Sequence, residues 1–145
     1  MRSFFDTSVL IPVFAKDHIH HNASKAAFLQ ASGGERSCSA HTLAEFYSTF
    51  TRLPGKHRLD SNEVLLFIGD LLEQLSIVAL TAEEYVAAIQ EAAGAGVSGG
   101  TIYDALLVRC AIKARADVIY TWNVRHFQQF PEIISCVKAP SEFGC

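Results

Sequence analysis

The sequence predicts an α/β fold: helices on both faces of a central, mostly parallel sheet of four to five strands. Three observations predict it. Short apolar runs alternate along the chain with longer segments of helical period. Those runs lack polar alternation, as strands do when helices cover both sides. Finally, 145 residues of which half are hydrophobic suit a single domain over 1–145, with no linker, repeat or low-complexity tract to divide it.

Taken in order, residues 2–5 are short, apolar and partly aromatic, and read as a buried strand. The "TSVLIPVF" that follows begins with Thr7 and Ser8, which suits a helix start, and Pro12 limits its regularity. "HNASKAAFLQAS" places Ala23, Ala26, Ala27 and Leu29 at helical spacing, and Gly33-Gly34 ends it before the second strand, "RSCSA". "HTLAEFYSTFTRLPG" is amphipathic, with Leu43, Phe46, Tyr47 and Phe50 on one stripe, and stops at Pro54-Gly55. The helix "DSNEVLLFIGDLLEQL" precedes the strand "SIVAL", and the helix "TAEEYVAAIQEAA" precedes a glycine-rich loop. The helix "TIYDALLVRCAIKARA" then leads to the strand "DVIYTW", and "IISCV" reads as a final edge strand.

Composition excludes several classes. The formal net charge is -3 with six neutral histidines, so no chain-wide basic field marks the protein for nucleic acid, and an anionic substrate needs local help. Cys38, Cys110, Cys136 and Cys145 show no C-x-x-C or C-x-x-H spacing, which points to a reducing compartment. No stretch approaches the roughly 20 apolar residues that span a bilayer, and the amino terminus has no signal-peptide pattern. The expectation is a cytoplasmic protein with no membrane partner.

One acid looks misplaced. Asp6 follows two phenylalanines and precedes a run of apolar residues, where an ionised carboxylate is expensive unless something receives it. Four further acids close the capping-box pattern: Thr42-x-x-Glu45, Asp60-x-x-Glu63, Thr81-x-x-Glu84 and Thr101-x-x-Asp104. For Glu63 and Glu84 the cap explains the residue. Glu45 follows a predicted strand, Asp104 precedes a turn that looks buried, and Asp6 ends the first strand. In an open parallel sheet, ligands bind outside the carboxyl ends of the strands, so these three could share one crevice. Position alone leaves a shared site and three separate caps both open. Shared carboxylates repel one another and need retained protons or a cation, and oxygen-only ligands favour magnesium or manganese over zinc.

At these residues the sequence resembles the PIN-domain nucleases, and within them the toxin ribonucleases of VapBC-type toxin-antitoxin modules. The resemblance rests on "FFDTSVLI", "SAHTLAEFYSTFTRLP" and "TIYDALLVRCAIKARADVIYTWNVRHF", in that order across essentially the whole chain. It implies a PIN-like three-layer α/β/α sandwich. It also implies that Asp6, Glu45 and Asp104 form the acidic metal site, with Mg2+, or Mn2+ in its place, as cofactor. Asn123 stands where many members carry a fourth acid; an amide ligates by its oxygen but brings no charge, so a second metal would be held more weakly. Thr7 or Ser8 could supply a hydroxyl to water or substrate. The implied activity is metal-dependent endonucleolytic hydrolysis of RNA. The implied partners are a cognate VapB-type antitoxin, which can place a basic side chain in the acidic site, and a second copy of the chain in a homodimer and toxin-antitoxin hetero-oligomer.

Other signals have plainer readings. "GAGVSG" at 94–99 matches a dinucleotide fingerprint literally, but a helix rather than a strand precedes it, so it reads as a flexible loop. His18, His20 and His21 lack metal-ligand spacing and read as a solvated loop or helix start. Arg125 could contact phosphate or be an exposed turn charge. Arg52, Lys56, His57 and Arg58 form a basic cluster that is either a solvated loop or a guide for RNA. Trp122 could stack bases.

Two rivals remain open. An aspartyl phosphatase or phosphotransferase would use Asp6 as nucleophile, but its usual second acid two residues on is Ser8 here. A catalytically silent PIN-like module would bind RNA or protein without cutting. It has no need of three mutually repelling carboxylates.

Overall fold

The computed structural model, which describes residues 1–141, sends adjacent side chains of its first strand into different cores. In β1 (Arg2–Phe5), Phe5 packs with Val9, Leu10, Phe28, Phe46 and Phe50, whereas Phe4 packs with Val108, Ala111, Ile119 and Phe127. This is the two-residue period of a strand buried on both faces. β4 (Val118–Tyr120) repeats it, with Val118 and Tyr120 in the first core and Ile119 in the second.

The first core is roofed by α1 (Thr7–Phe14), α2 (His21–Gln30), α3 (Ala40–Thr51) and α4 (Ser61–Gln74). The second is roofed by α5 (Ala82–Gly94), α6 (Thr101–Lys113) and the short α7 (Val124–Phe127). Between them lies one five-stranded sheet that also contains β2 (Glu35–Ser39), β3 (Ser76–Val78) and β5 (Val137–Lys138). Its order is β3-β2-β1-β4-β5 and every neighbouring pair is parallel. The result is the expected three-layer α/β/α sandwich, with a sheet parallel throughout.

Strand order reverses at β1: the chain steps to β2 on one side, then returns past β1 to reach β4 on the other. That reversal opens a crevice at the carboxyl ends of β1 and β4, where the helix starts of an α/β sheet converge.

Local chemistry explains most boundaries. Asp60 and Thr81 each accept the backbone N–H of the glutamate three residues on, and Glu63 and Glu84 reach back to the cap, so both expected capping boxes form. Glu84 also receives Lys113 Nζ at 2.7 Å, tying α5 to α6, and this contact together with the cap holds its carboxyl below the usual range. Gly34 is needed where β2 begins, because a Cβ there would collide with the Met1 carbonyl.

Four expectations are corrected. Thr42-x-x-Glu45 is not a capping box: Ser39 caps α3 by accepting from Thr42 N–H, so the helix starts earlier than the pattern implies. Thr101-x-x-Asp104 is not one either, since Gly100 is the cap residue and no side chain bonds there. On α3, Phe46 and Phe50 are buried but Tyr47 is exposed, so the apolar stripe is narrower than its spacing suggested. "IISCV" is mostly consecutive turns that plug Ile133 into the second core, and only Val137 joins β5.

Cys38 and Cys110 are buried and Cys136 is half-buried; Cys145 lies outside the described residues. Burial pushes the Cys38 thiol up to about 12, and raises Cys110 as well, so both behave as small apolar side chains rather than nucleophiles. "GAGVSG" is indeed a loop after α5. Among the described residues no helix is long and apolar enough to cross a membrane.

Candidate active site

Asp6 is the first residue past β1 and Thr121 the first past β4. Because Asp6 N–H donates to the Tyr120 carbonyl, at 3.0 Å, the parallel ladder carries on beyond both strands and sets these two side chains beside each other. Thr121 Oγ1 donates to Asp6 Oδ2 at 2.7 Å, and Ser8 Oγ donates to the same oxygen at 2.7 Å. The other oxygen accepts Thr7 N–H at 2.9 Å, which makes Asp6 the cap of α1. A carboxylate only 8% exposed is thus received by three donors.

The donors are themselves held. Ser8 Oγ accepts Trp122 N–H at 3.0 Å, and Thr121 Oγ1 accepts Asn123 N–H at 3.0 Å. These bonds fix the turn that delivers Asn123 to the crevice. A second relay reaches Glu45: Thr7 Oγ1 lies 3.1 Å from Glu45 Oε1 and 3.0 Å from Thr42 Oγ1, and Thr42 Oγ1 contacts Ser39 Oγ at 3.0 Å. Thr42 is fully buried, so this hydroxyl chain ties the exposed Glu45 to the floor of the crevice. Thr7 and Ser8 both direct their hydroxyls at carboxylates, Thr7 at Glu45 and Ser8 at Asp6.

Asp6, Thr7, Ser8, Glu45, Asp104 and Asn123 all line one cleft of about 710 Å3 at the carboxyl end of the sheet. Asp104 enters from the first turn of α6. Its carboxyl is raised above the ordinary range, mainly by burial; His126 nearby draws it down, and repulsion from Asp6 adds to the rise. Arg125 is exposed on α7 and does not line the cleft, nor do Arg52, Lys56, His57 and Arg58, all of which are exposed.

The carboxylates of Asp6, Glu45 and Asp104 with the Asn123 amide oxygen suit a hard divalent cation; His18, His20, His41 and His126 also line the cleft, and Cys110 there is a protonated thiol. The acids face a common space without yet converging, for among the described residues no three His, Cys, Asp or Glu side chains form a ready ligand set. Histidines stand beside two of these acids, His126 near Asp104 and His41 Nε2 3.9 Å from Glu45 Oε1, and a divalent cation would relieve the repulsion that remains between Asp6 and Asp104.

The rest of the wall is aromatic. His20 stacks on Trp122 with ring centroids 3.7 Å apart and planes within 13°, and His18 lies 5.6 Å from His20. Tyr103 and His41, one before Asp104 and the other a turn before Glu45, face each other at 6.5 Å across the mouth. Burial, then repulsion from His20 and His21, lowers the His18 pKa, which suits the acceptor role of its Nδ1 toward His20 N–H.

A profile described as PIN domain matches residues 3–132, which is most of the chain and every element that builds the cleft. The chain belongs to the PIN-domain family. Among curated relatives of this PIN domain, ribonuclease VapC40 of Mycobacterium tuberculosis is 32% identical over 128 residues, spanning 88% of this chain and 91% of its own. Ribonuclease VapC27 of the same species is 30% identical over 113 residues, spanning 78% and 79%. In three dimensions it is similar to VapBC2 from Rickettsia felis, crystallised with a DNA fragment of its promoter. The TM-score is 0.70 at 19% identity, covering 97% of this chain and 100% of that one. That likeness is one of fold.

Several residues of this PIN domain's cleft escaped the sequence reading. Thr121 and Ser39 anchor the acids without having been singled out, and Thr42, read as a cap residue for Glu45, instead joins their hydroxyl chain behind the cleft. His18 and His20 are on a loop and at a helix start, as expected, but that loop forms a wall of the cleft. His126, the residue after Arg125, lines the cleft, whereas Arg125 does not.

Proposed function

We propose that this PIN domain is an endoribonuclease toxin that hydrolyses RNA phosphodiester bonds with a divalent cation, Mg2+ or Mn2+, and is neutralised by a cognate VapB-type antitoxin. The observation that carries this reading is the meeting of Asp6, Glu45, Asp104 and Asn123 in one cleft, with two of the acids mutually repelling. Named relatives support the chemistry, since VapC40 and VapC27 are both ribonucleases.

Asp6, Glu45 and Asp104 would hold the cation, with the Asn123 amide oxygen as a neutral fourth group. When bound it supplies charge stabilisation at the phosphoryl oxygens and a more acidic water. The chain's own residues do the rest. Thr121, Ser8 and Thr7 N–H hold Asp6 in one orientation, and Thr7 Oγ1 holds Glu45, so little reorganisation remains when the phosphate arrives. Arg125, exposed one residue before the cleft-lining His126, would meet a phosphate only outside the cleft proper.

The fold neighbour contains both VapB and VapC, and this chain leaves apolar side chains uncovered on α4 and α5: Leu65, Leu66, Leu72, Val86 and Ile89. We assign these two patches, on opposite layers of the sandwich, to the antitoxin and to a second copy of the chain. The activity is tested by offering the purified chain RNA and DNA strands of the same sequence with magnesium. Cleavage of RNA alone is expected; equal cleavage of DNA, or release of phosphate from a monoester, would move the protein to another class.

A further inference from the structure

We propose that His20, stacked on Trp122, is a nucleobase-stacking subsite on the wall of the cleft. The proposal rests on the ribonuclease reading for the nature of the ligand and adds to it the residues that grip a base beside the cut.

Three observations point to it. First, the platform is built before any ligand arrives. Trp122 is pinned at both ends, its indole Nε1 donating to Ser24 Oγ at 2.9 Å and its backbone N–H to Ser8 Oγ, and His20 lies on it at 3.7 Å. A stacking surface that is already ordered loses little entropy on binding. Second, one face of the His20 ring is uncommitted. Trp122 covers one face closely, whereas His18 stands 5.6 Å away and tilted by 37°, too far to cover the other in the same way. The His20 ring makes no hydrogen bond among the described residues, and as cap residue of α2 its side chain contributes no capping bond, so neither role explains the histidine. Third, the position is right. Trp122 sits between Thr121, which donates to Asp6, and Asn123, and both rings line the same cleft as the acids. A base laid on this stack puts its own sugar-phosphate backbone beside the carboxylates.

Stacking of one base on a protein ring needs only a π face, so the subsite favours an unpaired base and, among bases, the larger purines.

Trp122 is the only tryptophan in the chain, so its fluorescence reports the site directly. The experiment titrates wild type, His20→Ala and His20→Phe with short single-stranded homopolymers of adenylate and uridylate in chelator, where no cutting occurs. Wild-type fluorescence should change on binding, more tightly with adenylate. His20→Ala should weaken binding roughly ten-fold or more, and His20→Phe should restore it to within about three-fold. An unchanged Kd in His20→Ala overturns the proposal. So does a loss in His20→Phe as large as in His20→Ala, which would make the imidazole's charge or hydrogen bonds the active feature. A wild type that shows no Trp122 response in chelator yet cuts RNA once magnesium is restored overturns the subsite and leaves the ribonuclease reading standing. A wild type that neither binds nor cuts overturns both.

Discussion

Asp6→Asn is expected to lower RNA cleavage by more than the roughly 100-fold at the upper end of what loss of an outer-shell partner of a metal ligand costs, because Asp6 would itself hold the cation, while the protein stays folded. The two halves of this expectation have separate causes. Stability is kept because asparagine caps helices as well as aspartate does, so Thr7 N–H retains its acceptor. The hydroxyls of Ser8 and Thr121 can turn and accept from the new amide, since each is both donor and acceptor. What disappears is one negative charge from the cleft floor. Cleavage assays run beside thermal melts separate the effects; a folded, fully active Asp6→Asn protein would remove Asp6 from the site.

The largest stability effect is expected at the adjacent residue. Phe5 is fully buried, stacked on Tyr120 at 5.3 Å and edge-on to Phe28 at 5.3 Å, so it joins β1 to β4 and α2 in the first core. Phe5→Ala removes those contacts and leaves a cavity that the flanking strand cannot collapse to fill, at a cost of about 3–5 kcal/mol. For a domain of this size that is a large fraction of a total of about 5–15 kcal/mol. The melting temperature should fall by on the order of 10 °C. Phe5→Leu should cost much less, about 1.5 kcal/mol or under if the core repacks. A Phe5→Ala loss below about 1 kcal/mol would mean that this ring does not close the core.

What the sequence made legible follows from the range of the interactions involved. β1 and β4 were readable because an apolar strand covered on both faces leaves a local run of apolar residues, β2 from the Gly33-Gly34 break before it, and the caps at Asp60 and Thr81 because their partners are three residues away. β5 was misjudged because two residues of strand carry no periodicity, and the turns before it are as apolar as a strand. The pattern beginning at Thr42 was misleading because Ser39, three residues earlier, can cap just as well and does. Asp6 was noticed for the apolar residues around it, but its receiving groups were not, since Thr121 is 115 residues away and only the β1–β4 pairing brings it close. The same holds for His20, whose neighbour on the cleft wall is Trp122.

The central claim is that the acidic cleft cuts RNA with a hard cation. Its most direct test is cleavage of total cellular RNA by the purified chain, free of antitoxin, in magnesium or manganese against chelator, with Asp104→Asn alongside. Asp104 already carries a raised carboxyl in the shadow of Asp6, so removing its charge relieves repulsion and should leave the fold intact. The account predicts discrete fragments that need the cation and vanish in Asp104→Asn. Fragments that persist in chelator, or that a folded Asp104→Asn protein still produces, would contradict it.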